Sequence, residues 1–330
     1  MWPARLRFSG AAQALEKGTG YIPPMNSTPV KRLVGASLLL CTFAACTQDP
    51  APIAPVTGVF RPIRIVATNA TAVDFVFDLV DPDRVVAVPD TVGDYATVDV
   101  DFSRWSGEFA FSEFSAEVML SFDPDLVVVS PWQDQNTINR LIESGVRVVE
   151  LPAVDELEDI RFAIRSTGEA LGEVAAAAEL LADFDRRAAA LQKAASDRGT
   201  VRGLVYTNYG SGGWAAGKGT TAHHMLELAG LVNVAAESGR SGHDGVNIET
   251  LLDFAPDVLV ISKPSRDYGV TRSVLEGEKE LSTLEAIAKK RIIELPSGLF
   301  STASHHLLDA AELLAKEVDA LIASGRLDLE

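Results

Sequence analysis

The sequence predicts an α/β protein made of two like lobes joined by a long helix, with a ligand cleft between the lobes. Three observations predict it. Short apolar, β-rich runs alternate with helical stretches along most of the chain. A pattern at 117–130 recurs at 249–262, an offset of 132 residues throughout. Between the two copies lies a long Ala-rich segment with few strand formers.

The strand candidates are 63–67, 84–88, 126–129, 146–151, 201–207, 258–261 and 292–295. They are continuous apolar runs and not strict alternations, as expected of parallel strands covered on both faces. The two copies of the repeat read EVMLSFDPDLVVVS and ETLLDFAPDVLVIS. Each predicts a short helix feeding a buried strand, with Phe122 or Phe254 anchoring the helix and Pro124 or Pro256 ending it. The segment 155–198 is helical by propensity, with a break or kink expected at Gly168 and Gly172. Its later part would span roughly 37 Å at 1.5 Å per residue, enough to cross from one lobe to the other.

The chain has 330 residues, room for about two domains. With 47% hydrophobic and 23% charged residues it has the composition of a packed globular protein. The net charge of −17 argues against nucleic acid, which demands clustered Lys and Arg. Two cysteines exclude a disulfide scaffold, a four-cysteine zinc site and an iron–sulfur cluster built from this chain alone.

Residues 1–45 read as an over-extended start followed, from Met25, by an export signal. Lys31 and Arg32 form the basic region, 33–45 the apolar run, and Ala44 and Ala45 the small residues before the cut. The apolar run is short of the roughly 20 residues of a membrane span. FAAC at 43–46 resembles the bacterial lipobox, in which the cysteine is acylated and becomes the new N-terminus, here Cys46. Ordinary cleavage nearby, leaving Cys46 unmodified, is the alternative. Residues 46–62, with several prolines, read as a flexible tether. The first lobe is then 63–154, the linker region 155–198 and the second lobe 199–330.

Glu117 and Glu249 hold equivalent places in the first turns of the repeat helices, with Ser115 and Asn247 as N-caps. Each carboxylate either complements its helix dipole, for about 0.3–1 kcal/mol, or forms one of two acidic knobs for a basic partner. An exported chain with two α/β lobes, one linker helix and Glu…Pro-Asp in each lobe resembles the substrate-binding proteins of iron-siderophore, haem and cobalamin ABC importers. AAGKGT at 215–220 and LAGLVNV at 228–234 resemble the second lobe of that family, and the likeness covers about 62–322. The resemblance implies two Rossmann-like lobes on a single helix and a monomeric protein on the outer side of the cytoplasmic membrane or in the periplasm. It implies capture of a chelated metal or tetrapyrrole for an ABC permease dimer with its ATPase subunits. Glu117 and Glu249 would dock on permease arginines. A helical linker is stiff, so lobe closure is expected to be modest.

Loop aromatics near C-terminal strand ends are the cargo candidates: Tyr95, Trp105, Trp132, Tyr206, Tyr209, Trp214 and Tyr268. A flat, partly apolar cargo would stack on them. By its place after VVAV, Tyr95 resembles the iron-ligating tyrosine of the haem-binding members, although GDYA stands where those have Tyr-Pro. Arg104, Lys218, Lys263 and Arg266 would meet carboxylates of a chelate. GGWAAGK at 212–218 nearly spells a phosphate-binding loop, but Gly219 stands where Ser or Thr is required, so nucleotide hydrolysis is rejected. All five histidines lie in the second lobe, and adjacent histidines on a helix diverge, so a metal site is not expected beyond an axial ligand such as His224. Two alternatives stay open: a carrier of bare zinc or manganese, needing ligands from both lobes, and an enzyme on the same scaffold. No resident cofactor is expected.

Overall fold

A computed structural model describes residues 60–98, 101–210, 212–264 and 270–329. The export signal, Cys46 and most of the tether lie outside the described residues, as do Arg266 and Tyr268.

In the first lobe, strands β1 (Ile65–Ala67), β2 (Val85–Pro89), β3 (Ala110–Phe111), β4 (Leu126–Val129) and β5 (Arg147–Glu150) form one sheet in the order β3-β2-β1-β4-β5. Every pairing is parallel. β1 and β4 are fully buried, which is why their sequences are unbroken aliphatic runs. The strand order reverses between β1 and β4, and the crevice above their carboxyl ends is where such sheets take ligands.

The second lobe contains β6 (Arg202–Asn208), β7 (Gly213–Ala216), β8 (Val232–Asn233), β9 (His243–Val246), β10 (Val258–Ser262) and β11 (Ile292–Leu295). β11, β10, β6 and β8 are parallel, whereas β6, β7 and β9 pair antiparallel. All seven predicted runs are strands. The sequence did not announce β3, β7, β8 or β9, which are only two to four residues long and contain no aliphatic run. The near phosphate loop is strand β7 and the turn after it. Gly217 is glycine because an added methyl would stand 2.4 Å from the Arg240 carbonyl oxygen.

The repeat extends down to single hydrogen bonds. Ser115 and Asn247 cap helices Ala116–Ser121 and Ile248–Phe254 by accepting from the Val118 and Thr250 amides. Each helix leaves through a left-handed residue, Asp123 at φ 46° and Ala255 at φ 40°, which occupy equivalent places. The aspartate of each Pro-Asp then clamps the start of its lobe's first strand. Asp125 accepts from the Ile63 and Arg64 amides at 2.8 and 3.0 Å, and Asp257 from the Arg202 amide at 2.8 Å. Arg64 and Arg202 donate back to the carbonyls of Phe122 and Phe254, satisfying helix-end acceptors.

The linker region is two helices and not one kinked helix. Leu157–Leu171 ends at Gly172, left-handed at φ 72°, and Val174–Asp197 runs 24 residues, about 36 Å. The two fold back on each other: Arg161 pairs with Asp185 at 2.6 Å, and a methyl at Gly168 would strike Ala177 Cβ at 2.2 Å. Buried Arg84 of the first lobe binds Glu173 at the turn and caps the Leu171 carbonyl at 2.7 Å. Farther along, Arg187 binds Asp309 and Glu312 of the second lobe.

The chain after β11 returns to the first lobe. Ser297 Oγ donates to the Asp94 carbonyl, Ser304 Oγ to buried Asp74 at 2.8 Å, and His305 Nε2 lies 2.6 Å from Asp78 Oδ2. Burial pushes the Asp74 carboxyl up, against the hydrogen bonds from Thr97 and Ser304.

Candidate functional site: the cleft between the lobes

Two cavities face each other across the lobe boundary. One, of about 320 Å³, lies above the carboxyl ends of β1, β2 and β4 and is lined by Thr68, Asn69, Thr91, Tyr95 and Trp132. The other, of about 290 Å³, belongs to the second lobe and is lined by Thr207, Tyr209, Trp214, His243 and Phe300. Ser301 lines both, so the two are halves of one cleft.

The walls are shaped by local rules. Gln133 accepts from the Ser130 amide and the Thr68 hydroxyl, tying the loop that bears Trp132 to the end of β1. Trp132 is left 62% exposed over the cleft. In β7 the pleat alternates, so Gly213 and Ala215 face the core while Trp214 stands out at 45% exposure. Its cross-strand neighbours are Thr207 and Gly245. The floor is the helix Ser297–Ser301, packed on the helix Val92–Tyr95. Gly298 permits that approach, since a methyl there would lie 2.8 Å from the Tyr95 carbonyl oxygen. Among the described residues lining the two halves, none is Asp, Glu, Lys or Arg. The cleft offers aromatic faces, hydroxyls, one carboxamide and one imidazole. That imidazole, His243, is exposed on β9, and partial desolvation by the cleft wall pushes it below its ordinary pKa.

Of the predicted cargo aromatics, the structure brings Tyr95, Trp132, Tyr209 and Trp214 to the cleft. It does not bring Trp105 there. That indole is buried, stacks edge-on with Phe77 at 5.0 Å and donates to the Val85 carbonyl at 3.0 Å, so it is first-lobe core. Tyr206 is also buried, its hydroxyl accepting from Asn208. Arg104 pairs with Asp83 and covers the Trp105 ring, and Lys263 is not among the lining residues. Lys218 lines a separate groove beside Arg198, His223 and Glu227. His224, the possible axial ligand, is buried with Nε2 2.7 Å from the Asp155 carbonyl oxygen and is not among the residues lining the cleft. His243, Phe300 and Ser301 were missed by sequence reasoning. His243 had a signal, its polar place in HDGV beside glycines, but only the antiparallel β9–β7 pairing sets it against Trp214's strand. Glu117 and Glu249 are both exposed on their capped first turns.

Two α/β lobes, one with a parallel and one with a mixed sheet, a long helical connection and an aromatic interlobe cleft define a bilobed ligand-binding protein with a helical backbone. The chain belongs to the periplasmic binding protein family, whose model matches residues 65–299. It is 29% identical to a cobalamin-binding protein of Halobacterium salinarum over 236 residues, 71% of this chain and 63% of that protein. It thus spans a little under two thirds of the curated relatives it matches. Among solved structures it is similar to the periplasmic haem-binding protein BhuT in complex with two haems, at 25% identity and TM-score 0.66, covering 79% of this chain and 100% of that one. It shares its fold with a haem-binding protein of Roseiflexus sp. RS-1 in apo form, at 22% identity and TM-score 0.64, covering 80% of this chain and 99% of that one. The vitamin B12 binding protein of Vibrio cholerae has the same fold, at 19% identity and TM-score 0.61, covering 79% and 98%.

Proposed function

We propose that the protein is the extracytoplasmic binding component of an ABC importer, that its cargo is a tetrapyrrole, and that the first cargo to test is a corrinoid. One observation carries the choice: the described walls of the cleft are aromatic and uncharged. A bare dication needs converging carboxylates or imidazoles, and a polycarboxylate chelate needs Arg or Lys opposite it. A corrinoid presents a broad ring edged with amides, which suits Trp132 and Trp214 as platforms and Thr68, Asn69, Thr207 and Ser301 as hydrogen-bond partners. The cobalamin-binding relative supports the same reading. Haem is the second reading, favoured by His243 on one wall and Tyr95 on the other, either of which offers an axial ligand.

Nothing chemical happens to the cargo: binding and hand-over are the function. Exposed Glu117 and Glu249 would meet basic sockets on the two permease subunits, and acylated Cys46 would hold the protein at the membrane through the tether that ends near residue 62. The deciding experiment is absorbance and calorimetric titration of the purified full chain with cyanocobalamin, haemin and a ferric hydroxamate. Tight one-to-one corrinoid binding that Trp214→Ala weakens supports the reading. Corrinoid indifference with haemin binding and a Soret shift moved by His243→Ala shifts it to haem. Binding of neither tetrapyrrole refutes it.

A further inference from the structure

Away from the cleft, Asp78, His305 and His306 meet at the junction of the lobes. Asp78 terminates the first-lobe helix Ala70–Phe77, and the histidines precede the second-lobe helix Leu307–Ala323. One ligand atom from each lies within 4.8 Å of the other two. Asp78 Oδ2 is 2.6 Å from His305 Nε2 and 3.1 Å from His306 Nε2. The two rings are 4.3 Å apart by centroid. Adjacent histidines converge here because they precede the helix and do not sit within it, contrary to the divergence expected from sequence.

The surroundings are those of a ligand set. His306 Nδ1 faces Asp309 Oδ2 at 2.5 Å, and Asp309 is held in turn by Arg187. With Nδ1–H donating to the Asp309 carboxylate, Nε2 is the nitrogen left to bind an ion beside Asp78, the arrangement that orients metal-bound imidazoles. His306 Nε2 is buried and makes no aligned hydrogen bond of its own. A solvent-open cavity of about 640 Å³ reaches the cluster. Asp78, Asp94, His306 and Asp309 line it, with no Lys or Arg among the described lining residues. None of its lining residues lines the cleft.

The geometry points to a second site, a divalent transition-metal site of the zinc class held by Asp78 Oδ2, His305 Nε2 and His306 Nε2. Two imidazoles and a carboxylate suit zinc, and solvent from the cavity completes four-coordination. The ion takes the place of the protons that separate these groups without it, and releases them on binding. Its ligands come from both lobes, so it pins the junction on which the cleft floor rests. It is neither cargo nor catalyst.

The test is titration of chelator-treated full chain with zinc chloride, followed by calorimetry and thermal melting. The expected result is one zinc per chain and a higher melting temperature. Asp78→Asn and His306→Gln should each lose binding by at least about tenfold, and Asp309→Asn by about 10–100-fold. Saturating corrinoid should leave zinc binding unchanged. In case a variant fails to fold, wild-type protein is loaded with cobalt(II) in place of zinc, and the visible absorption of a four-coordinate site with nitrogen and oxygen ligands should appear at one ion per chain and be displaced by zinc. Absence of zinc binding, wild-type affinity in folded Asp78→Asn and His306→Gln, competition by cargo, or a cobalt(II) spectrum of the free aqueous ion overturns the proposal. Apart from competition by cargo, none of these outcomes bears on whether the cleft takes a tetrapyrrole.

Discussion

Trp105 and Trp214 are both tryptophans near strand ends, and the structure gives them opposite duties. Trp105 fills the first-lobe core against Phe77 and Phe102 and donates to the Val85 carbonyl. Trp105→Ala removes a buried indole from a site that collapses only partly, for about 3–5 kcal/mol. It also leaves the Val85 carbonyl without its donor, for about 1 kcal/mol more. At a few degrees per kcal/mol, the melting temperature should fall by roughly 10 °C. Cargo affinity of the folded fraction should be unchanged, because no atom of Trp105 lines the cleft. Trp214→Ala should do the reverse. Its ring is 45% exposed, so the melting temperature should move little, while lost stacking area weakens cargo binding by about 1–3 kcal/mol, some 5- to 150-fold. Differential scanning calorimetry and cargo titration on both variants give the four numbers needed. A Trp105→Ala protein that melts normally but binds cargo weakly would refute the division of roles.

Reversing both acids, Glu117→Lys with Glu249→Lys, should abolish uptake in a complementation assay with cargo affinity intact; normal uptake would return both carboxylates to their helix dipoles. The metal-free lobe junction should depend on pH. Burial opposes charge on His306, yet its contacts with Asp309 and Asp78 outweigh this and push it to about 9, with Asp74, His305 and Arg187 also facing the cluster. Because this pKa is raised above the ordinary 6.5, the stabilisation is complete below about pH 6.5 and is lost as pH rises through about 9. Denaturant melts in chelator should show a decline of up to roughly 3 kcal/mol across that window, and His306→Gln should flatten it. Gly168→Val should force the two linker helices apart where they touch at Ala177, costing about 1–3 kcal/mol without altering the cleft; a melt equal to wild type would mean the contact is slack.

What the sequence by itself determined was everything set by near neighbours. Aliphatic runs specified β1, β2, β4, β5, β6, β10 and β11. The spacing of Ser or Asn, Glu and Pro-Asp specified two capped helices and their equivalence, and Gly172 marked where the linker turns. These signals act over a few residues, so they survive in a string of letters. Tertiary structure alone decided which side chains share a space. Trp105 and Trp214 differ in duty because one meets Phe77 across the lobe and the other sits on the outward side of a pleat. β9 exists because β7 offers it an edge, not because HDGV favours extension. His305 finds Asp78 across 227 residues, a separation no periodicity encodes. Burial and encounter are properties of the folded chain, and with them come the uncharged walls that the described residues give the cleft and the histidine cluster at the lobe junction.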